Sequence, residues 1–151
     1  MSTKEVGDEK KELFGMIFLL AQRWQYIGDR ELKDSGVTTK QWFLLVSLHA
    51  LFDTPPNLND LALAMGSTRQ NVKQLALNLE RQGFLKIYQD KEDRRVQRFK
   101  LTPKNQAFWD KRAENDERFI ASLFGELPST AVTITRTTIN SLLNLTDKFL
   151  K

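Results

Sequence analysis

The sequence predicts a mainly α fold carrying one small antiparallel β-hairpin. Three observations lead there. Apolar residues recur at helical spacing over both ends of the chain, two runs between Phe84 and Leu101 alternate on either side of a charged turn, and glycine or proline marks the joints between segments. A chain of 151 residues can bury its own core without staples, and 1–151 is read as a single domain.

The elements follow in order. Residues 9 to 33 carry Leu13, Phe14, Ile17, Phe18, Leu20, Ala21, Trp24 and Ile27 at helical spacing, in a stripe wide enough to bury two faces. Asp34-Ser35-Gly36 is a turn. Thr38 and Gln41 then stand in capping-box spacing, opening a helix with Trp42, Leu45, Val46, Leu48 and His49 that Asp53-Thr54-Pro55-Pro56 ends.

The stretch NLNDLALAMGSTRQNVKQLALNLERQGF, residues 57 to 84, reads as two helices joined at Gly66. The first sets Leu58, Leu61, Ala62 and Met65 on one face. The second, capped by Ser67 or Thr68, buries Val72, Leu75, Ala76 and Leu79 and turns Arg69, Gln70, Lys73, Gln74 and Arg81 outward, with Leu77 on the same outer side. Glutamine suits adenine edges, and arginine or lysine suits guanine edges and phosphates. Solvated polarity on an ordinary amphipathic helix accounts equally for that face taken alone.

Beyond Gly83, Leu85 and Ile87 alternate with Lys86 and Tyr88, and Phe99 and Leu101 alternate with Arg98 and Lys100, so the two runs pair as an antiparallel hairpin with its tip at Asp90 to Arg95. A helix-turn-helix followed by a basic hairpin is a winged helix-turn-helix, here over 38–102. Thr102 caps the next helix and Pro103 opens it. Phe108, Trp109, Phe119, Ile120, Leu123, Phe124 and Leu127 mark that helix. Ser129 caps a last one bearing Ile139, Leu142, Leu143, Thr146, Phe149 and Leu150. The terminal segments 9–34 and 103–151 hold more apolar surface than a small winged helix can cover, which points to packing against a second copy.

Charge and composition narrow the function. From Arg69 to Lys104 there are ten bases and four acids, a local net of +6 in a chain of net +4, so the remainder is near −2. That is the footprint of a nucleic-acid binder, though a solvated charged face has the same composition. The absence of cysteine excludes disulfides and thiolate metal sites, and a single histidine, His49, leaves no histidine-based one. No cofactor is expected. No apolar run is long enough to span a membrane, and the polar N-terminus lacks a signal-peptide pattern, so a cytoplasmic location is expected. With no nucleophile beside a base, no paired carboxylates at useful spacing and no phosphate-cradling glycine loop, an enzyme is not expected. A winged helix using its basic face for an acidic protein partner is the alternative to DNA binding.

The order TTKQWFLLVSL, then LNDLALAMGSTRQNVKQLALNLERQGFLK, then DKEDRRVQRFKLT resembles the MarR family of bacterial transcriptional regulators. The motifs run from about Leu13 to Lys104. The wing signature, an aspartate and two arginines followed by Leu-Thr, is the most specific part. One departure is Asn105, where the family usually has glycine. The resemblance implies a homodimer with interlocked terminal helices, acting on a pseudo-palindromic site in double-stranded DNA, most simply as a repressor. It implies recognition-helix contacts from Thr68, Arg69, Gln70, Lys73 and Gln74, wing contacts from Lys91, Arg94, Arg95 and Arg98, and a brace at Asp93. Either Arg94 or Arg95 would enter the minor groove. It further implies a small aromatic or phenolic effector, for which Phe14, Phe18, Trp24, Trp42, Phe43 and His49 are candidate lining residues; core packing accounts for the same side chains.

Overall fold

The structure, a computed structural model, describes residues 3–150. Its element order is α1 (Thr3–Glu31), α2 (Thr39–Leu51), α3 (Leu58–Ala64), α4 (Arg69–Arg81), β1 (Leu85–Gln89), β2 (Gln97–Leu101), α5 (Pro103–Phe124) and α6 (Ser129–Thr146), with short 3₁₀ turns at Lys33–Ser35 and Asp147–Phe149. This is the mainly helical architecture with one small hairpin that the sequence pattern predicts.

Local chemistry explains most boundaries. Gly36 takes φ 74° to leave the turn after α1. At α2, Thr38 Oγ1 accepts the Gln41 N–H at 3.2 Å while Gln41 Oε1 accepts the Thr38 N–H at 3.0 Å, a reciprocal capping box. Asn57 caps α3, and Thr68, not Ser67, caps α4 through its hydroxyl and the Asn71 N–H at 3.2 Å. Thr102 caps α5, whose first helical residue is Pro103.

The core lies among α2, α3, α4 and the hairpin. Leu44, Leu61, Val72, Leu79, Leu85 and Phe99 are its fully buried side chains. Strand register pairs Leu85 with Leu101 and Ile87 with Phe99 on the inner face, as the alternation requires. On the outer face Lys86 stands opposite Lys100, both exposed.

Several expectations need correction. α1 begins at Thr3, ahead of residue 9. In α2 the buried side is Gln41, Leu44, Leu45, Ser47 and Leu48, which leaves Val46 and His49 exposed: a run apolar all round does not show which side will be covered. Leu127 lies beyond the end of α5, since Gly125 at φ 57° breaks the helix after Phe124. Ser129 is the first residue of α6 and not its cap; Pro128 holds the cap position with no side-chain bond.

Asn105 sits in the ordinary first turn of α5 with its side chain buried, and its Oδ1 accepts the Trp109 indole N–H at 2.9 Å. No special backbone conformation is needed there, because every described residue with positive φ is a glycine.

Outside the core, the N-terminal part of α1 and the whole of α6 leave large apolar side chains exposed, while the C-terminal part of α1 packs against α2 and α5. Phe14 and Phe18 on α1 are 66% and 60% exposed, and α6 has no buried residue at all. No described helix is long and apolar enough to cross a membrane.

Candidate nucleic-acid interface

The interface is built on α4. Its apolar stripe locks Val72, Ala76 and Leu79 into the core, so helical periodicity turns Arg69, Gln70, Lys73 and Gln74 outward, and all four are exposed. Thr68 is also exposed, with its hydroxyl engaged in the cap. The sequence-predicted recognition residues therefore share one accessible face. Leu77 is half-buried beside it.

The wing tip is a turn organised by two aspartates. Asp90 Oδ1 accepts the backbone N–H groups of Glu92 and Asp93 at 2.9 and 3.0 Å, while its Oδ2 takes the Arg98 guanidinium at 2.8 Å. The Arg98 bond, followed by the backbone bonds from Asp93 and Glu92, holds the Asp90 carboxyl down at about 2. Asp93 Oδ1 accepts both the backbone N–H and the Nε–H of Arg95 at 3.1 Å, and Oδ2 accepts its NH2 at 3.2 Å. The Arg95 hydrogen bonds lower the Asp93 carboxyl as well. An ion pair this exposed adds little stability, but it fixes where the guanidinium points. Among the described residues Arg94 makes no ion pair, and Arg94 and Lys91 are both exposed.

Arg98 departs from expectation. Alternation sets it on the outer face, but its guanidinium bonds Asp90 and reaches the Pro55 carbonyl at 3.5 Å, and its backbone bridges Asn57. The loop between α2 and α3 packs across that side of β2, so Arg98 is half-buried and acts as a strut. Asp90, which sequence reasoning missed, does as much to shape the tip as Asp93. Its signal was present in the sequence: an aspartate whose side chain can bond the N–H two residues on is a common turn former.

A cavity of about 550 Å³ lies where α1, α2 and α5 converge. Its aromatic walls come from Trp24, Trp42, Phe43, Trp109 and Phe119, with Gln25, Thr39, Lys40 and Asp116 supplying polar groups. Trp24, Trp42 and Phe43 among the expected lining residues meet there. Phe14, Phe18 and His49 do not: the two phenylalanines pack edge to face on the open side of α1 at 5.0 Å between centroids, and His49 lines a separate, smaller depression. The cavity floor is tight. Asp29 Oδ1 accepts the Thr39 N–H at 2.7 Å, and Thr39 Oγ1 donates to the Gln25 carbonyl at 3.2 Å, over Gly28.

No protein-family model matches the chain. The transcriptional activatory protein BadR of Rhodopseudomonas palustris is 27% identical over 153 residues, 97% of this chain and 86% of that protein. Among solved structures, a MarR transcriptional regulator from Methanosarcina mazei Go1 superposes with a TM-score of 0.81 at 16% identity, over 92% of this chain and 99% of that one. The MepR–DNA complex of S. aureus gives 0.71 at 23% identity, over 89% and 96%. Bordetella bronchiseptica BpsR, solved to explain regulation of its DNA binding by 6-hydroxynicotinic acid, gives 0.73 at 21% identity, over 87% and 98%. With its helix-turn-helix, its hairpin and its long terminal helices in the same order and arrangement, the chain has the fold of the MarR-family transcriptional regulators.

Proposed function

We propose that this protein is a sequence-specific regulator of transcription that binds duplex DNA as a homodimer. One observation carries the reading: Arg69, Gln70, Lys73 and Gln74 form an exposed face on a core-anchored helix, flanked by an arginine-tipped wing. The recognition helix enters the major groove, with Thr68 at its start contacting phosphate. Arg95, aimed by Asp93, enters the minor groove, where narrow width concentrates negative potential. Arg94 and Lys91 contact the backbone.

The uncovered apolar faces of α1 and α6 support the dimer, because monomers rarely leave surfaces of that kind in water. A pseudo-palindromic site follows from two-fold symmetry. The expected sense of regulation is repression, by a dimer occupying DNA that polymerase needs. A reporter that falls silent when the protein is removed would reverse that sense and leave the DNA binding untouched.

The cavity between α1, α2 and α5 suits a small aromatic or phenolic effector, having mostly apolar walls and a few polar groups in the size range of ligand sites. It joins α1 to the DNA-binding lobe, so an effector that prefers one spacing of these elements shifts DNA affinity, and one without such preference shifts nothing. The protein is expected to work in the cytoplasm, without a cofactor.

The test is a gel shift on the region upstream of the protein's own coding sequence over a range of salt. A specific complex whose affinity falls steeply with salt is expected, with a log-log slope set by several phosphate contacts. No binding to any duplex at low salt would defeat the reading.

A further inference from the structure

Glu80 is the only acidic residue of α4 and stands near its C-terminus, inside the most basic part of the chain. The helix end is unfavourable for a carboxylate, being already negative, and DNA phosphates would repel it, whereas the surrounding bases would favour an ion pair. Among the described residues Glu80 makes no ion pair. Its Oε2 instead accepts the backbone N–H of Ile87, in the middle of β1, at 2.6 Å.

The hairpin itself offers that N–H no partner. The Thr102 N–H donates to the Phe84 carbonyl at 3.2 Å and the Asp90 N–H to the Val96 carbonyl at 2.8 Å, so even-numbered residues of β1 direct their backbone groups at β2. Ile87 therefore points its N–H to the outer edge. The opposite edge of the hairpin is closed by the Phe99 N–H on the Pro56 carbonyl at 3.1 Å. Glu80 closes the β1 edge with a side chain, and in doing so joins the last turn of α4 to the wing.

We propose that Glu80 is a positioning residue that sets the wing relative to α4, acting as a hydrogen-bond acceptor and not as a charge. This rests on the DNA-binding reading. An acceptor role predicts that glutamine suffices: E80Q keeps the oxygen that meets Ile87 and removes a negative charge near phosphate, whereas E80A leaves the N–H unpaired and the wing free to tilt.

The experiment measures the dissociation constant of the full chain for an upstream duplex. E80A is expected to weaken binding about tenfold, with E80Q within about twofold of the wild type or tighter. On an R94A/R95A background, E80A should add less than about twofold, because no wing arginines remain to be placed. An E80Q loss as large as that of E80A, or an E80A loss undiminished without the wing arginines, overturns the proposal. Should E80A fail to fold, amide exchange at Ile87 decides: slow exchange in wild type and E80Q supports the contact, and fast exchange in the wild type overturns it. A wild type that binds no duplex defeats the DNA reading instead, and Ile87 protection alone then judges whether Glu80 holds the wing.

Discussion

Arg98 and Asp90 lie on opposite arms of the hairpin, and their 2.8 Å contact closes the base of the wing tip. The same carboxylate accepts two backbone N–H groups of the turn, so one side chain sets both the turn and its anchorage.

A pH dependence follows. The folded Asp90 carboxyl, at about 2, lies below its ordinary 3.8, so its stabilising contribution is full above the ordinary value and is lost as pH falls toward the folded one. The tip should hold its shape from neutral pH to about 4 and loosen between about 4 and 2. A carboxyl-carbon NMR titration checks this: a midpoint near 2 is expected for the wild type and a higher one for Arg98→Ala, which keeps only the backbone bonds from Asp93 and Glu92. An unperturbed wild-type midpoint would contradict the contact.

Wing and recognition helix should fail in different ways. Arg94→Ala with Arg95→Ala should weaken binding to all duplexes and flatten the salt slope, while Gln70→Ala should mainly relax base preference, at roughly 1–3 kcal/mol of discrimination. Asp93→Asn should also weaken binding although it removes a negative charge, because Arg95 loses the Oδ2 acceptor and the opposite charge that hold its guanidinium. Binding curves on cognate and scrambled duplexes separate these cases. Equal loss of specificity from both sets of changes would refute the assigned roles.

The cavity floor can be tested at Gly28, where an added Cβ would meet Thr39 Oγ1 at 2.5 Å. Gly28→Ala should force α1 from α2 and cost about 1–3 kcal/mol, seen as a lowered melting temperature. Gly7→Ala, in the same helix with nothing within 4 Å, is the control and should be neutral or stabilising by up to about 1 kcal/mol. Equal melting temperatures for the two variants would refute the clash.

Association can be tested at Leu143, 59% exposed on α6. Leu143→Glu should halve the mass seen by sedimentation equilibrium while the circular dichroism of the DNA-binding lobe persists. A wild type that is monomeric at micromolar concentration would remove the dimer from the reading.

How much of this was legible depended on whether a local rule governed the residue. Alternation identified Leu85, Ile87, Phe99 and Leu101 as one face, and helical spacing identified the buried stripe of α4, because each pattern is set within its own element. Arg98 was placed on the correct side of its strand, but its contact with the Pro55 carbonyl was not legible, since that carbonyl comes from a loop far away in sequence. Phe14 and Phe18 share the aromatic spacing of Trp24, but only the C-terminal part of α1 meets α2 and α5, and periodicity does not show where along a helix its partners arrive. Glu80 looked like one acid among many bases; its partner is a backbone N–H, and backbone groups leave no mark on side-chain patterns.

The lack of any buried side chain on α6 has a consequence for how the molecule melts. An isolated helix of 18 residues is marginal in water, so a surface that covered α6 would also keep it helical. If that surface is a second copy, folding of the C-terminal segment and association are a single equilibrium governed by mass action. Its melting temperature then rises with protein concentration, while that of the core around Phe99 and Leu61 stays nearly constant.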